Sequence, residues 1–413
     1  MGIMMMSLSW DPMREPTPND IQCHNTIFSL VQGGPSYYIQ QKLGLIPNRE
    51  LGVARRMLFF SLLTWAPIMA WAIVNRRLLS GNAPEPLLQH FSVHVRCLVA
   101  IPLFIAAEAI VEAICHRIFP YFVTSGIAAE ALQSRFIKIL HQAGRLRDSW
   151  LAWAVLAVLS LLLAWQFTSV SAVLHEDELL WAVSGDTGHS QLGFGGWWFW
   201  FVVRPVFAFF LLHWIWRLFI IVALLWRIAH LDLHLIPNHP DRAGGLGFLE
   251  QMPFAFSPII LAVSAVIASH WAHQILYHQA GVNAFNLPLG VFLVSLLVIF
   301  LGPLLVFSPR LRQLKRRSLL TYGALAGEYG WLVQKRMPLG ELMQDNGRLE
   351  AQELHLLAGT IKRYDAAKRT KLAPLGKQSL VAVLAPALLP MIPVYAITGP
   401  VKDTLLWMLS VLI

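Results

Sequence analysis

The sequence predicts an all-α, polytopic integral membrane protein with about seven transmembrane helices, the N-terminus inside and the C-terminus outside. Three observations carry that prediction. Of 413 residues, 56% are apolar and only 13% charged, against about 25% charged in ordinary soluble domains. The apolar residues fall in seven long runs instead of the short alternations of soluble domains. The loops between the runs alternate between basic and nearly free of Lys/Arg: 309–378 carries fourteen, whereas 171–196 carries none and holds Glu176, Asp177, Glu178 and Asp186.

A helix needs about 20 mostly apolar residues to cross roughly 30 Å of hydrocarbon. The runs that qualify are 57–74, 93–115, 150–171, 198–225, 254–276, 287–307 and 379–397. With the N-terminus in the cytoplasm, 1–56, 116–149, 226–253 and 308–378 lie inside. They hold 5, 5, 2 and 14 Lys/Arg, which is 26 of the 32 in the chain. Only Arg76, Arg77 and Lys402 lie outside, while Arg96, Arg204 and Arg217 fall within spans. Basic residues stay on the cytoplasmic side, so this orientation is the expected one. The chain divides into a cytoplasmic N-terminal segment 1–56, a six-helix membrane region 57–307, a cytoplasmic helical insertion 308–378, and a C-terminal membrane helix and tail 379–413.

Composition also excludes. The net charge of +9 flanks spans and accompanies no nucleic-acid motif, so no nucleic-acid partner is expected. Cys23, Cys97 and Cys115 form no CxxC and no extracytoplasmic pair, so no disulfide framework is expected. Residues 1–50 contain no apolar core that would make a signal peptide. Met6 stands where myristoylation of Gly2 would need Ser or Thr.

The second span carries Glu108 and Glu112, with His116 one turn further, and spacing of four sets all three on one stripe. Ionisable groups inside a span are expensive and default to functional hypotheses. Two carboxylates a turn apart need a raised pKa or a cation between them. The fourth span offers His213 and Arg217, again four apart. Glu108 lies roughly 12 Å and Arg217 roughly 13 Å above the inner ends of their spans, at 1.5 Å per residue. The two meet at one depth, either as a closed Glu–Arg clamp between helices or as part of a water-accessible ion or proton pathway. Arg96 and Arg204 sit near outer ends, where they snorkel. Trp197, Trp198 and Trp200 fit an outer aromatic belt. His270, His273 and His278 gather near the outer end of the fifth span, with at most two on one face.

The inner loop between the fourth and fifth spans is the most distinctive stretch: His230, Asp232, His234, Pro237, Asn238, His239, Pro240, Asp241, Arg242, Gly244, Gly245 and Gly247. If the fourth helix runs to about 235, His230 and His234 share a face, and His239 and Asp241 return toward them. That set is enough for a divalent metal. The alternative is a structural turn in which Asp241 caps the next helix, Arg242 anchors at the lipid phosphates, and the glycines permit tight packing. No HExxH and no phosphate loop is present.

Prolines 102, 205, 258 and 303 free backbone carbonyls, and Pro386, Pro390 and Pro393 predict a bent seventh span. Residues 318–336 and 348–371 read as a helical hairpin beneath the membrane. Arg310, Arg312, Lys315, Arg316 and Arg317 form either a topogenic signal or a patch for anionic lipid. The run 404–413 is too short to span. Membrane lipid, anionic at the inner face, is the expected partner, and a homo-oligomer stays open.

The stretches His239-Pro240-Asp241-Arg242-Ala243-Gly244-Gly245-Leu246-Gly247-Phe248-Leu249, Arg317 to Ala326 and Ala387 to Pro393 resemble those of uncharacterised polytopic inner-membrane proteins of bacteria. The resemblance covers about the C-terminal two-thirds of the chain. It implies a bacterial inner-membrane location and carries over no activity and no functional residue. The leading functional expectation is transport or permeation of a small ion, proton-coupled, through Glu108 and Glu112 with Arg217 as counter-charge. The rivals are a membrane-embedded metal-dependent enzyme acting on lipid, with His230, His234, His239 and Asp241 as ligands, and a non-catalytic scaffold docking through 318–377.

Overall fold

A computed structural model describes residues 28–47, 51–79, 86–165, 177–184, 191–278, 280–336 and 351–396. The expectations for Gly2, Cys23, the 404–413 run and most of the acidic loop fall outside those residues. The fold is helical, and its described β-structure is one two-residue antiparallel ladder pairing Val183–Ser184 with Gln191–Leu192. Twelve helical elements suffice to describe it: α1 (Pro35–Lys42), α2 (Val53–Val74), α3 (Phe91–Thr124), α4 (Glu130–Arg147), α5 (Trp150–Trp165), α6 (Phe194–Ala229), α7 (Met252–Tyr277), α8 (Asn286–Leu301), α9 (Ser308–Arg336), α10 (Ala351–Lys368), α11 (Lys377–Leu388) and α12 (Met391–Ala396).

Five continuous helical stretches are long and apolar enough to cross a membrane: Val53–Val74, Phe91–Thr124, Phe194–Ala229, Gly247–Tyr277 and Val282–Leu332. A sixth candidate joins α4 to α5 through a 42° bend. The run expected as the third span lies in α5, the second member of that bent pair, after the amphipathic α4. The run expected as the seventh falls on a shorter apolar helix, α11, followed by α12, and α11 is not among the helices long enough to cross. Pro390 supplies no N–H for the i→i−4 ladder, and the helix breaks between Leu388 and Met391. The hydroxyl of Ser264 on α7 donates to the carbonyl of Ala387 at 2.5 Å beside that break.

The helix α7 occupies the centre, packed on α3 and α11. Its small residues Ala255, Ala262, Ser264 and Ala268 are buried and let neighbouring backbones approach closely. The largest apolar cluster joins α3, α6 and α7 through Phe104, Val111, Phe119, Leu224 and Phe256. A second joins α7, α8, α11 and α12 through Leu289, Val383 and Leu388. A third lies at the opposite end around Ile68, Val93, Trp181 and Phe199.

Prolines shape the long helices as their chemistry requires. In α2, Pro67 leaves the carbonyl of Leu63 without its helical donor, and the indole N–H of Trp198 fills the gap at 3.1 Å. In α3 and α6 the backbone passes through one π turn each, Arg96–Ala100 and Phe199–Val203, directly before Ile101-Pro102 and Arg204-Pro205. The π turns lie at one level, because the Arg96 and Arg204 guanidiniums sit 5.8 and 5.6 Å from the Phe199 ring. Both arginines lie against aromatic rings. The aromatic belt shrinks. Trp197 is exposed, but Trp198 bonds α2 and Trp200 donates to the carbonyl of Ala164 on α5.

The basic segments meet at one end of the bundle. The N–H of His234 donates to Ile127, Arg310 donates to the carbonyls of Ala229 and His230, and the N–H of Lys371 donates to Arg242. The expected hairpin is formed by α9 and α10, which pack on each other, with α9 starting at Ser308, ten residues earlier than the sequence suggested.

Candidate functional site

The stripe read from the sequence does converge, but on more partners than Arg217. Oε1 of Glu108 accepts from Arg217 at 2.8 Å, and Oε2 accepts from Arg56 at 2.5 Å. Arg56 comes from the first turn of α2, and its Nε donates to Gln40 of α1 at 2.5 Å. The side chains of Arg56, Glu108 and Arg217 are only 2%, 5% and 4% exposed. The Arg217 guanidinium also lies 4.8 Å from the Trp214 ring centre, a cation–π contact that is strongest where water is excluded. One carboxylate is thus sealed between two guanidiniums, tying α2, α3 and α6 together.

Glu112, one turn on, has unlike partners. Its Oε2 accepts the backbone N–H groups of Leu30 and Val31 at 3.1 and 3.2 Å, and its Oε1 lies 3.1 Å from Nε2 of His116. The imidazole is about one-third exposed, whereas Glu112 is buried. Residues 28–34 run across this carboxylate. Phe28 packs edge-on against Phe119 at 5.1 Å, and Arg147 of α4 donates to the carbonyl of Ser29. Two arginines and two glutamates balance in formal charge. His213 does not join the ion pairs. Its ring stacks on Phe209 at 5.7 Å, and its buried Nδ1 has no hydrogen-bond partner among the described residues.

The loop at the same end does not assemble the expected metal site. The helix α6 ends at Ala229, six residues short of the length that would align His230 with His234. Nδ1 of His230 turns back to the carbonyl of Trp226 at 2.7 Å. Asp232 pairs with Arg310 at 3.2 Å. Among the described residues no three His, Cys, Asp or Glu side chains are grouped to hold a metal. His230, His234, His239 and Asp241 are therefore not a ligand set, and neither are His270, His273 and His278.

Asp241 instead organises the turn. Oδ1 accepts the N–H groups of Ala243 and Gly245 at 2.8 and 3.2 Å, and Oδ2 accepts that of Gly247 at 2.7 Å. His239 lies 2.8 Å from the same carboxylate. Burial pushes the Asp241 carboxyl up, but the N–H donors of Ala243, Gly247 and Gly245 and the His239 ring outweigh it and hold its pKa below the ordinary value. Gly244 and Gly245 have φ of +68° and +99°, which suits glycine. A Cβ on Gly247 would come within 2.6 Å of the Asp241 Cβ. The capping expectation is met in modified form, since Gly247 opens the short 3₁₀ turn leading into α7. Arg242 is exposed with φ +55°, and its carbonyl receives Lys371.

Sequence reasoning missed Arg56, Gln40, Leu30, Val31 and Arg147. Arg56 sat at the edge of a basic pair that topology already explained. Gln40, Leu30 and Val31 lay in stretches without apolar periodicity, and Arg147 looked like any other basic residue of the amphipathic α4. No protein-family model, no curated protein and no solved structure matches the chain.

Proposed function

We propose that this chain is a multi-pass protein of a bacterial inner membrane that moves a small ion in exchange for protons. In this reading it has seven crossings, with the N-terminus cytoplasmic and the C-terminus outside. Glu112 and His116 exchange the proton, and Glu108 is a fixed counter-charge held by Arg56 and Arg217. Residues 28–34 form the inner gate, because their backbone N–H groups and the His116 ring share one carboxylate. Anionic lipid at the basic end is the expected surrounding.

The observation that carries the reading is the asymmetry between two carboxylates one turn apart. One is sealed between guanidiniums; the other is bound by a partly exposed imidazole and by a strap of backbone. An immobile charge beside a labile one suits a coupled carrier, whereas two equivalent clamps would suit a passive strut. The test is proton movement in proteoliposomes carrying an internal pH dye. Glu112→Gln is expected to abolish proton flux while the protein stays folded, and unchanged flux refutes the assignment.

A second reading has its own support. The α9–α10 hairpin leaves Leu320, Leu325, Leu356 and Ile361 exposed, as a scaffold docking a partner would. Removing the hairpin would then abolish partner capture and spare any flux. The metal-dependent enzyme is not proposed, since its ligands do not converge.

A further inference from the structure

Helices α6 and α8 stand on either side of an apolar hollow. Between them, with α7 as the back wall, runs an apolar crevice open to the side. Its outer part has a volume of about 230 Å³ and is lined by residues including Trp214, Phe256, Ile260 and Phe292. Its inner part has a volume of about 430 Å³ and is lined by residues including Val222, Gly302, Pro303 and Val306. The two parts adjoin, because Ile215, Leu218 and Ile299 line both. From Leu211 to Val222 the crevice follows α6 for about 16 Å at 1.5 Å per residue. Both helices that flank it lie within stretches apolar enough to cross a membrane, so its mouth faces hydrocarbon.

A cation lies beyond the inner end. Arg310 stands one turn beyond Val306, and its guanidinium reaches across to the carbonyls of Ala229 and His230 at the end of α6. Trp226, one turn beyond Val222, is exposed and packs on His230, whose carbonyl Arg310 bonds, with ring centres 4.4 Å apart. Asp232 also holds Arg310, but its side chain is 90% exposed, and such a surface pair contributes little. Arg312 and Arg316, on the following turns of α9, are exposed. An apolar slot followed along the same helices by an indole and then an arginine, where α6 leaves its apolar run, has the chemistry of a lipid: hydrocarbon first, an interfacial aromatic next, then positive charge.

We propose that this crevice is a specific site for an anionic glycerophospholipid, with one acyl chain between α6 and α8 and the phosphate at Arg310 beside Trp226. The proposal is independent of the ion-moving role and goes beyond it. Trp214 forms part of the crevice wall, donates to the Phe104 carbonyl at 3.0 Å and covers the Arg217 guanidinium. The bound chain therefore lies one indole away from the buried ion cluster, and lipid occupancy would steady the face on which Arg217 is held.

The test uses the full chain in detergent, titrated with phosphatidylglycerol or phosphatidylcholine and read by native mass spectrometry. Wild-type protein is expected to retain phosphatidylglycerol in preference to phosphatidylcholine. Ile299→Trp, which fills the shared middle of the crevice, is expected to remove that retained lipid. Gly302→Leu is the second blocking variant, because a Cβ at Gly302 meets no atom within 4 Å and so clashes with nothing at its base. Arg310→Gln is expected to keep lipid binding but lower the preference about fivefold, the value of one interfacial charge. Retention unchanged in both blocking variants overturns the site. So does a dimer that the blocking variants dissolve while lipid adducts persist, since the crevice would then be covered by a second copy.

Discussion

Glu108→Gln is the most informative single substitution. The carboxylate neutralises two guanidiniums that are almost fully buried, and the amide that replaces it has the same shape but no charge. Arg56 and Arg217 would then face each other across an uncharged group, with Gln40 and the Trp214 ring as their remaining partners. Removing one member of a buried ion pair typically destabilises by 3–5 kcal/mol, chiefly because the partner's charge is left unpaired. Here two partners are stranded, so about 4 kcal/mol is the expected loss. Equilibrium unfolding by SDS titration in mixed micelles reads it directly. The companion measurement is a cycle with Arg217→Gln. The double variant removes one stranded cation, so it should be more stable than the sum of the two single losses predicts, by about 1–3 kcal/mol. A loss below about 1 kcal/mol for Glu108→Gln, or strictly additive variants, would show that the carboxylate is hydrated and not sealed, and would refute the clamp.

Other expectations follow from the same geometry. Asp241→Ala should loosen the 239–247 turn by about 3 kcal/mol, because three backbone N–H groups lose a charged acceptor; amide exchange at Ala243, Gly245 and Gly247 checks it. Because the folded-state pKa of Asp241 is lowered, its contribution is fully present above the ordinary value of 3.8 and is lost as the pH falls below it through the folded value. Exchange in the wild-type turn should therefore accelerate only under acid conditions, and Asp241→Asn should flatten that dependence. Trp198→Phe orphans the Leu63 carbonyl that Pro67 frees and should lower stability by about 0.6–2 kcal/mol, seen as a reduced melting temperature. Gly195→Ala would drive a Cβ to 2.4 Å from the Trp71 ring, and such overpacking costs about 1–3 kcal/mol in the same assay.

Much of this was legible in the residues. The 3.6-residue period put Glu108, Glu112 and His116 on one stripe, and matching depths paired Glu108 with Arg217. Three prolines in eight residues foretold the break between α11 and α12. Other features were not legible for identifiable reasons. Arg55 and Arg56 look alike in sequence, but only Arg56 lies on the inward face of α2. The strap at 28–34 makes its bonds through backbone N–H groups, which every residue type carries. The loop after α6 failed as a metal site because the helix stopped at Ala229: spacing of four aligns side chains only while the helix lasts. Asp241 was better employed by the local backbone than by a distant ligand set.

The π turns in α3 and α6 have a consequence for helical phase. Each is in effect one residue inserted into an α-helix, which rotates everything beyond it by about 100°. The halves of these helices on either side of the π turn therefore keep separate clocks. His94, which receives the Trp65 indole at 3.0 Å, and the Glu108 stripe occupy faces that no single helical wheel can reconcile. Deleting Leu98 would restore a regular helix and yet misalign it: with the ion cluster fixed in place, His94 would swing away from Trp65 and Arg96 from Phe199. The extra residue lets two layers of contacts, facing different neighbours, share one continuous rod.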